Sequence, residues 1–477
     1  MIVNKHILRG LKILLCLFAL AIIVGDSIQS YNQFFSTPMD GDLPGGVVPA
    51  KDVKPVLSHP LGFYAIAHHE YYPNPNRFFS HWSLYHYFNA AVPWLGQYMD
   101  KTDALYAACA SAKLIMQLML LWLIAVMAFG KAAPWHHKTL LAMAFGCVFF
   151  QMYGYHHQMA IIDPAVTYDF FYALPCIWLI IYFLPYWLSY RHERTFPVWL
   201  HILWWIWIPV VTLSGPLNPG IIATICVLLL IRLLREKRMP SRLEWLTFAP
   251  VAVGSIYSLF LGLYNVISMR VDMPLWERYK VLPQGVWNIL MERPAWLLLL
   301  GIMLVTSLVL WWRLPQVWHR WGKELRWIGA FALVYLLLLP LGGYRDYRPY
   351  IVRYDTILPV TLLVVYWIIG AVLDLLFHSR RWGFCFSVPY VLAIMIFFQL
   401  EDKDDPLLLM NNEQERRGIV RVQNSDQDIV ELEHDWKIAT WGPIAYSQAF
   451  WSELPGQMLY RFGIWDSPKK FYNKDAE

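Results

Sequence analysis

The sequence predicts an all-α polytopic membrane protein with about eleven transmembrane helices. Three observations carry that fold class. Of 477 residues, 58% are apolar and 15% charged, respectively above and below the shares of an ordinary soluble protein. The 25 Trp, 28 Tyr and 26 Phe gather toward the ends of apolar runs, where amphipathic rings favour the bilayer interface. Lys and Arg concentrate in alternate loops, as short cytoplasmic connections do.

A hydrocarbon core of about 30 Å takes about 20 apolar helical residues. On that ruler the spans fall near 7–25, 104–129, 138–154, 167–189, 196–213, 218–234, 245–268, 294–312, 326–341, 356–377 and 383–400. The third, fifth and sixth are the shortest. Lys5, Arg9 and Lys12 precede the first span, and the matching loops carry Lys131 and Lys138, Arg191 and Arg194, Arg232 to Arg242, Arg313 to Arg326, and Arg380 with Arg381. These loops are assigned to the cytoplasm, so the N-terminus lies inside and the segment from Glu401 outside. The location expected is the cytoplasmic membrane, crossed many times. A cleaved signal peptide is the rival reading of the first span, but "IIVGDSIQS" lacks a convincing small-x-small site, so a retained helix is expected.

Residues 1–400 form the membrane domain and 401–477 a small external segment. The external loop 26–103, about 78 residues, is far longer than a helical hairpin requires. Within it "PNRFFSHWSLYHYFNAAVPWLGQY", 75–98, suits a helix lying in the interface. The tail opens with "EDKDDP" and contains the possible strands "RGIVRVQ" and "WKIATWG". It is too short for much core of its own and is expected to lean on the outer loops. The six cysteines all fall within or beside spans, which offers no exported disulfide framework. No P-loop, dinucleotide fingerprint or repeat occurs, which argues against an ATP-driven pump, and no nucleic-acid partner is expected.

Three polar groups lie near the outer face. In "YNQFFSTPMDGDLPGG", 31–46, Asp40 and Asp42 flank Gly41, so a turn or an extended segment brings the two carboxylates together. Such a pair divides into base and metal ligand, or holds a divalent cation, or is simply a solvated turn. Asp26, at the outer end of the first span, is a third carboxylate facing the same space or ending the helix. "AHHEYYPNPNRFFSHW", 67–82, supplies His68, His69, Glu70, Arg77 and His81, with His59 in the same layer. Adjacent His68 and His69 point apart on a helix, so a wet loop is favoured over a zinc site. His156 and His157 carry no definite role. "GGYRDYRPYIVRYDTILP", 342–359, places Arg345, Arg348 and Arg353 beside Tyr344 on the outer side, against the charge asymmetry used elsewhere. A planar guanidinium fork suits a lipid phosphate or pyrophosphate, and pairing with Asp346 and Asp355 is the alternative. Arg270, Arg278 and Lys280 are weaker companions.

A long first outer loop with an acidic pair, about eleven spans and a late outer arginine element resemble the GT-C superfamily of integral membrane glycosyltransferases. The matching pieces are "MDGDLPG", 39–45, and "YRPYIVRYDTILPV", 347–360; "HPLGFYAI", "NPNRFFSHW" and "IIDPAVTYDFFYALP", 161–175, look like pieces of an uncharacterised bacterial branch. The resemblance implies an inverting enzyme of the cell envelope that uses a polyprenyl-phosphate or pyrophosphate sugar as donor, with a glycan, lipid or protein acceptor. Carried over to this chain, it makes Asp40 or Asp42 the base, with Asp26 in contention. Arg345, Arg348 and Arg353 then stabilise the leaving phosphate. Metal use varies within the superfamily, so a divalent cation stays open. Two other classes remain: a secondary transporter, for which Lys113 and Asn265 are the few polar candidates inside spans, and a noncatalytic lipid-binding or assembly protein.

Overall fold

The structure, a computed structural model, describes residues 5–150, 161–266, 273–291, 294–344, 350–379 and 381–476. It is 74% helical. Among the described residues the longer helices are α1 (Lys5–Phe35), α2 (Phe78–Leu95), α3 (Lys101–Phe129), α4 (His137–Cys147), α5 (Leu174–His192), α6 (Leu217–Glu236), α7 (Arg242–Leu261), α8 (Leu275–Met291), α9 (Pro294–Arg313), α10 (Pro315–Leu338), α11 (Tyr354–His378), α12 (Arg381–Glu401) and α13 (Pro406–Gln423). Two short strands, β1 (Ile429–Leu432) and β2 (Lys470–Asn473), pair in parallel, Ile429 opposite Lys470.

Eight helices among the described residues are long and apolar enough to cross a membrane, or nine if the 42° bend between α12 and α13 counts as one span. Three of the eleven expected spans differ. The third survives as α4, 11 residues long, and most of the segment between it and residue 161 lies outside the described residues. The fifth, Val198–Thr212, is broken by a tight turn at Trp204–Ile206. At 1.5 Å per residue it reaches only about 22 Å, short of a hydrocarbon core. The last meets the length test only together with α13.

Local signals set the helix ends. Asp100 caps α3 by accepting from the Thr102 amide at 2.8 Å, and Gly130, at φ 64°, closes it in the left-handed region. Ser241 and Glu244 form a reciprocal capping box on α7. In the centre α11 is buried along most of its length. At Gly370 an added Cβ would lie 2.0 Å from the Trp321 ring, so only glycine admits this indole beside the helix.

Side-chain contacts sort the helix ends into two sets. At one end Arg194 donates to the Gly130 carbonyl, Arg191 pairs with Glu324, and Arg320 pairs with Asp374 at 3.3 Å. At the other, the C-terminus of α1 and the N-terminus of α3 meet the tail. There Gln33 donates to Asp402 at 3.1 Å and Arg416 pairs with Asp103 at 2.6 Å.

The tail folds differently from expectation. "RGIVRVQ" is the last part of α13, and "WKIATWG" is a loop. Burial at Asn412, Glu415, Gly418, Ile419 and Val422 follows the three-to-four period of a helix, not the alternation of a strand. The buried Trp465 donates to the Ile419 carbonyl at 3.1 Å and anchors the segment. The expected leaning on the first loop is present: Arg461 donates to Asn89 at 2.6 Å and Lys101 to the Gly463 carbonyl at 3.0 Å.

Candidate active site

A cavity of 240 Å³ opens at the tail end of the bundle, between the 37–40 turn, the 163–168 stretch and the tail. Its walls include Asp40, Asp163, Tyr168, Glu415, Lys437 and Trp441. Residues more than 350 positions apart in sequence meet here because both ends of the helical bundle's connections return to one face.

Asp40 lines the cavity yet is fully engaged in the fold. Its Oδ1 accepts from the Asp42 amide at 3.0 Å, the Leu43 amide at 3.0 Å and the Thr167 hydroxyl at 2.7 Å, and its Oδ2 from the Thr167 amide at 3.1 Å. It thereby ties the first-loop turn to the head of the α5 span. Burial pushes its carboxyl above the usual range, against the help of the Thr167 donors. Asp42 is exposed and accepts from the Trp441 indole N–H at 3.1 Å. Gly41 between them is required by close approach: an added Cβ would lie 2.6 Å from Trp441 Cδ1 and 2.7 Å from its amide nitrogen. Asp26 is buried in α1, where Gln117 donates to it at 3.1 Å, and it is not in the cavity wall.

Sequence reasoning gave no role to the carboxylate with the most chemically useful placement. Asp163 is half-buried in the cavity wall and accepts from the Ala165 amide at 2.8 Å. Its own amide donates to Asp169 Oδ1 at 2.8 Å. Burial pushes its carboxyl up to about 7, opposed by the Ala165 N–H and the Lys113 ammonium, while Asp355 and Asp40 add negative charge that raises it further. A carboxyl ionising near neutrality in a cleft is matched to proton transfer. The buried Lys113, a polar candidate inside a span, donates to the Pro164 carbonyl and so fixes the strand of backbone beside Asp163. The available signal was the Asp-Pro pair at the head of a span, with Asp169 one and a half turns later.

Glu415 was also missed. It is buried, and its Oε2 accepts from the Met39 amide at 2.8 Å and the Tyr106 hydroxyl at 2.7 Å. Its Oε1 accepts from the Ala439 amide at 2.8 Å. Burial pushes it up to about 7. One side chain thus joins the tail, the first-loop turn and α3.

Of the arginine group, Arg345 and Arg348 lie outside the described residues. Arg353 pairs with Asp355 at 3.1 Å at the start of α11, the internal pairing foreseen as the alternative. Asp355 is close enough to Asp163 to raise its pKa. Tyr344 is half-buried at the same end.

The histidine group is elsewhere. His59 and His68 stack on either side of Tyr64 at 4.0 and 4.1 Å, and His69 and Glu70 are exposed. Arg77 lies over the Phe171 ring at 4.9 Å, and burial pushes the neighbouring His81 down to about 3, so its ring is neutral. None of them lines the cavity. Among the described residues no group of three or more His, Cys, Asp or Glu is arranged to hold a metal. His156, His157 and Arg270 lie outside the described residues; Arg278 donates to the Pro340 carbonyl at 3.3 Å, and Lys280 pairs with Glu277 at 2.6 Å. Asn265 is not in the cavity wall and accepts from the Asn74 amide at 3.1 Å.

The chain has many apolar helices and is a multi-pass membrane protein. No protein-family model matches it, and no curated protein is similar to it.

Proposed function

We propose that the chain is a glycosyltransferase that moves a sugar from a polyprenyl phosphate or pyrophosphate to an acceptor, working at the tail end of the bundle on the outer side of the cytoplasmic membrane. One arrangement supports the reading: Asp163 lines a cavity together with Asp40, and Asp355, the partner of Arg353, stands close enough to it to add negative charge that raises its pKa.

In the step, the acceptor hydroxyl oxygen bonds to the anomeric carbon while the bond from that carbon to the phosphate oxygen breaks. The hydroxyl proton passes to the Asp163 carboxylate, and polyprenyl phosphate or pyrophosphate leaves. Attack from the side opposite the phosphate inverts the anomeric centre. Asp40 holds the turn and the 167 backbone that frame the base, and Asp42 holds the tail through Trp441. Arg353, with Arg345, Arg348 and Tyr344 on the same segment, meets the charge developing on the departing phosphate.

The GT-C-like count of eleven passes belongs to the same reading. It takes the short α4 and the broken Val198–Thr212 stretch as passes, each coming after a helix that ends at the arginine-rich end. Arg191, Arg194 and Arg320 gather at one end of the bundle, and the positive-inside rule supports reading that end as cytoplasmic, with the N-terminus inside and the tail outside. The test is to incubate purified protein with a panel of polyprenyl-phosphate sugars and measure transfer or donor hydrolysis. Asp163→Asn lowers turnover by roughly 10²–10⁴-fold on this account; Asp163→Asn with wild-type turnover removes it from the role of base.

A further inference from the structure

The geometry points to Trp441 and Tyr168 as an aromatic platform on which the ring of a pyranose stacks, making the C-terminal segment the part of the protein that reads the sugar. This rests on the transferase reading and names the group its cavity receives. Trp441 is 56% exposed although it lines a cavity, an unusual position for the largest apolar side chain. Its ring is nevertheless fixed. The indole N–H is held by Asp42 at 3.1 Å, and the Cδ1 edge rests on Gly41, where any Cβ would collide.

Tyr168 meets it with ring centroids 5.8 Å apart and planes inclined at 43°. The two rings therefore form an open V at the cavity edge. The electron-rich face of an aromatic ring attracts the slightly positive C–H groups that line one face of a pyranose. The hydroxyls around the sugar's rim are donors, and Asp163, Asn411 and Asp435 are acceptors in the surrounding wall. An apolar polyprenyl chain in the same place would displace water from those groups and offer them no donor in return. A rigid ring that needs no ordering on binding keeps the entropic cost of the contact low.

Binding is measured in lipid nanodiscs with two probes, a polyprenyl-phosphate hexose bound by the wild type and the same polyprenyl phosphate without sugar. Trp441→Ala is expected to weaken the sugar-bearing probe by about tenfold and leave the sugarless probe unchanged. Trp441→Phe keeps the ring and loses the indole N–H, so it retains most of the affinity. A role confined to holding the tail through Asp42 predicts the reverse for Trp441→Phe, with tail release and equal loss for both probes. The inference is overturned by equal losses for both probes, or by Trp441→Ala binding the sugar-bearing probe as the wild type does. A wild type that binds no polyprenyl-phosphate sugar overturns the transferase reading and this one together.

Discussion

Replacing Glu415 by glutamine tests how the tail is held to the rest of the protein. The carboxylate serves three donors at once, the Met39 and Ala439 amides and the Tyr106 hydroxyl. A glutamine offers one carbonyl oxygen and one NH₂ group. Whichever way it turns, its NH₂ faces at least one buried donor, at a cost of about 1–3 kcal/mol. A protonated glutamic acid escapes this penalty, because its hydroxyl oxygen still accepts.

The wild type bears a different cost at high pH. Its folded-state pKa stands near 7 against 4.5 in the unfolded chain, a difference of about 2.5 units. The folded state therefore holds more protons between these values, and stability falls as pH rises through that window, by at most roughly 3 kcal/mol at 1.36 kcal/mol per unit. Glutamine has no such dependence. At pH 5 Glu415→Gln is thus destabilised by about 1–3 kcal/mol, and by pH 8 the difference shrinks toward zero or reverses. Thermal unfolding in detergent at both pH values, with limited proteolysis to localise opening to residues 401–477, reads the effect. A variant whose unfolding temperature and tail cleavage match the wild type at pH 5 refutes this account of the residue.

Other perturbations separate the remaining roles. Turnover should rise with pH through about 7, because Asp163 acts as its carboxylate, and Asp163→Asn should lower the rate by roughly 10²–10⁴ without moving the tail. Arg353→Ala should reduce turnover by roughly 10²-fold while substrate binding changes less; an unaltered rate would leave Arg353 as a partner of Asp355 alone. Gly41→Ala forces a methyl group against Trp441 and should expose the tail to protease in the folded protein, so protection equal to the wild type would contradict the close packing of turn and tail.

The helical framework was legible because periodicity is local. Lys101–Phe129 and Tyr354–His378 are long apolar runs bounded by ordinary caps and charges, and each helix stands where its run does. The stretch 75–98 forms a helix, Phe78–Leu95. Val198–Thr212 reads as a span by composition, but its tryptophan-rich centre winds tightly instead of continuing. The site was harder to read because its carboxylates stand at 40, 163 and 415 and only the return of distant connections to one end brings them together. Asp40 and Asp42 were visible as a pair, yet no local pattern shows that Thr167 saturates one and Trp441 holds the other. Glu415 sits in "NNEQERR", which reads as a solvated helix face; its burial comes from the turn and loop folded over it.

The central claim is that Asp163 serves as the base of a lipid-linked sugar transfer in this cavity. The most direct measurement tracks release of polyprenyl phosphate and formation of the glycosylated product across a panel of donors, from pH 5 to 9, for wild type and Asp163→Asn. The account predicts donor-dependent turnover that rises through about pH 7 in the wild type and, in the variant, is lower by roughly 10²–10⁴-fold and lacks that rise. Turnover in Asp163→Asn with the same pH profile as the wild type, or no transfer from any donor, would contradict it.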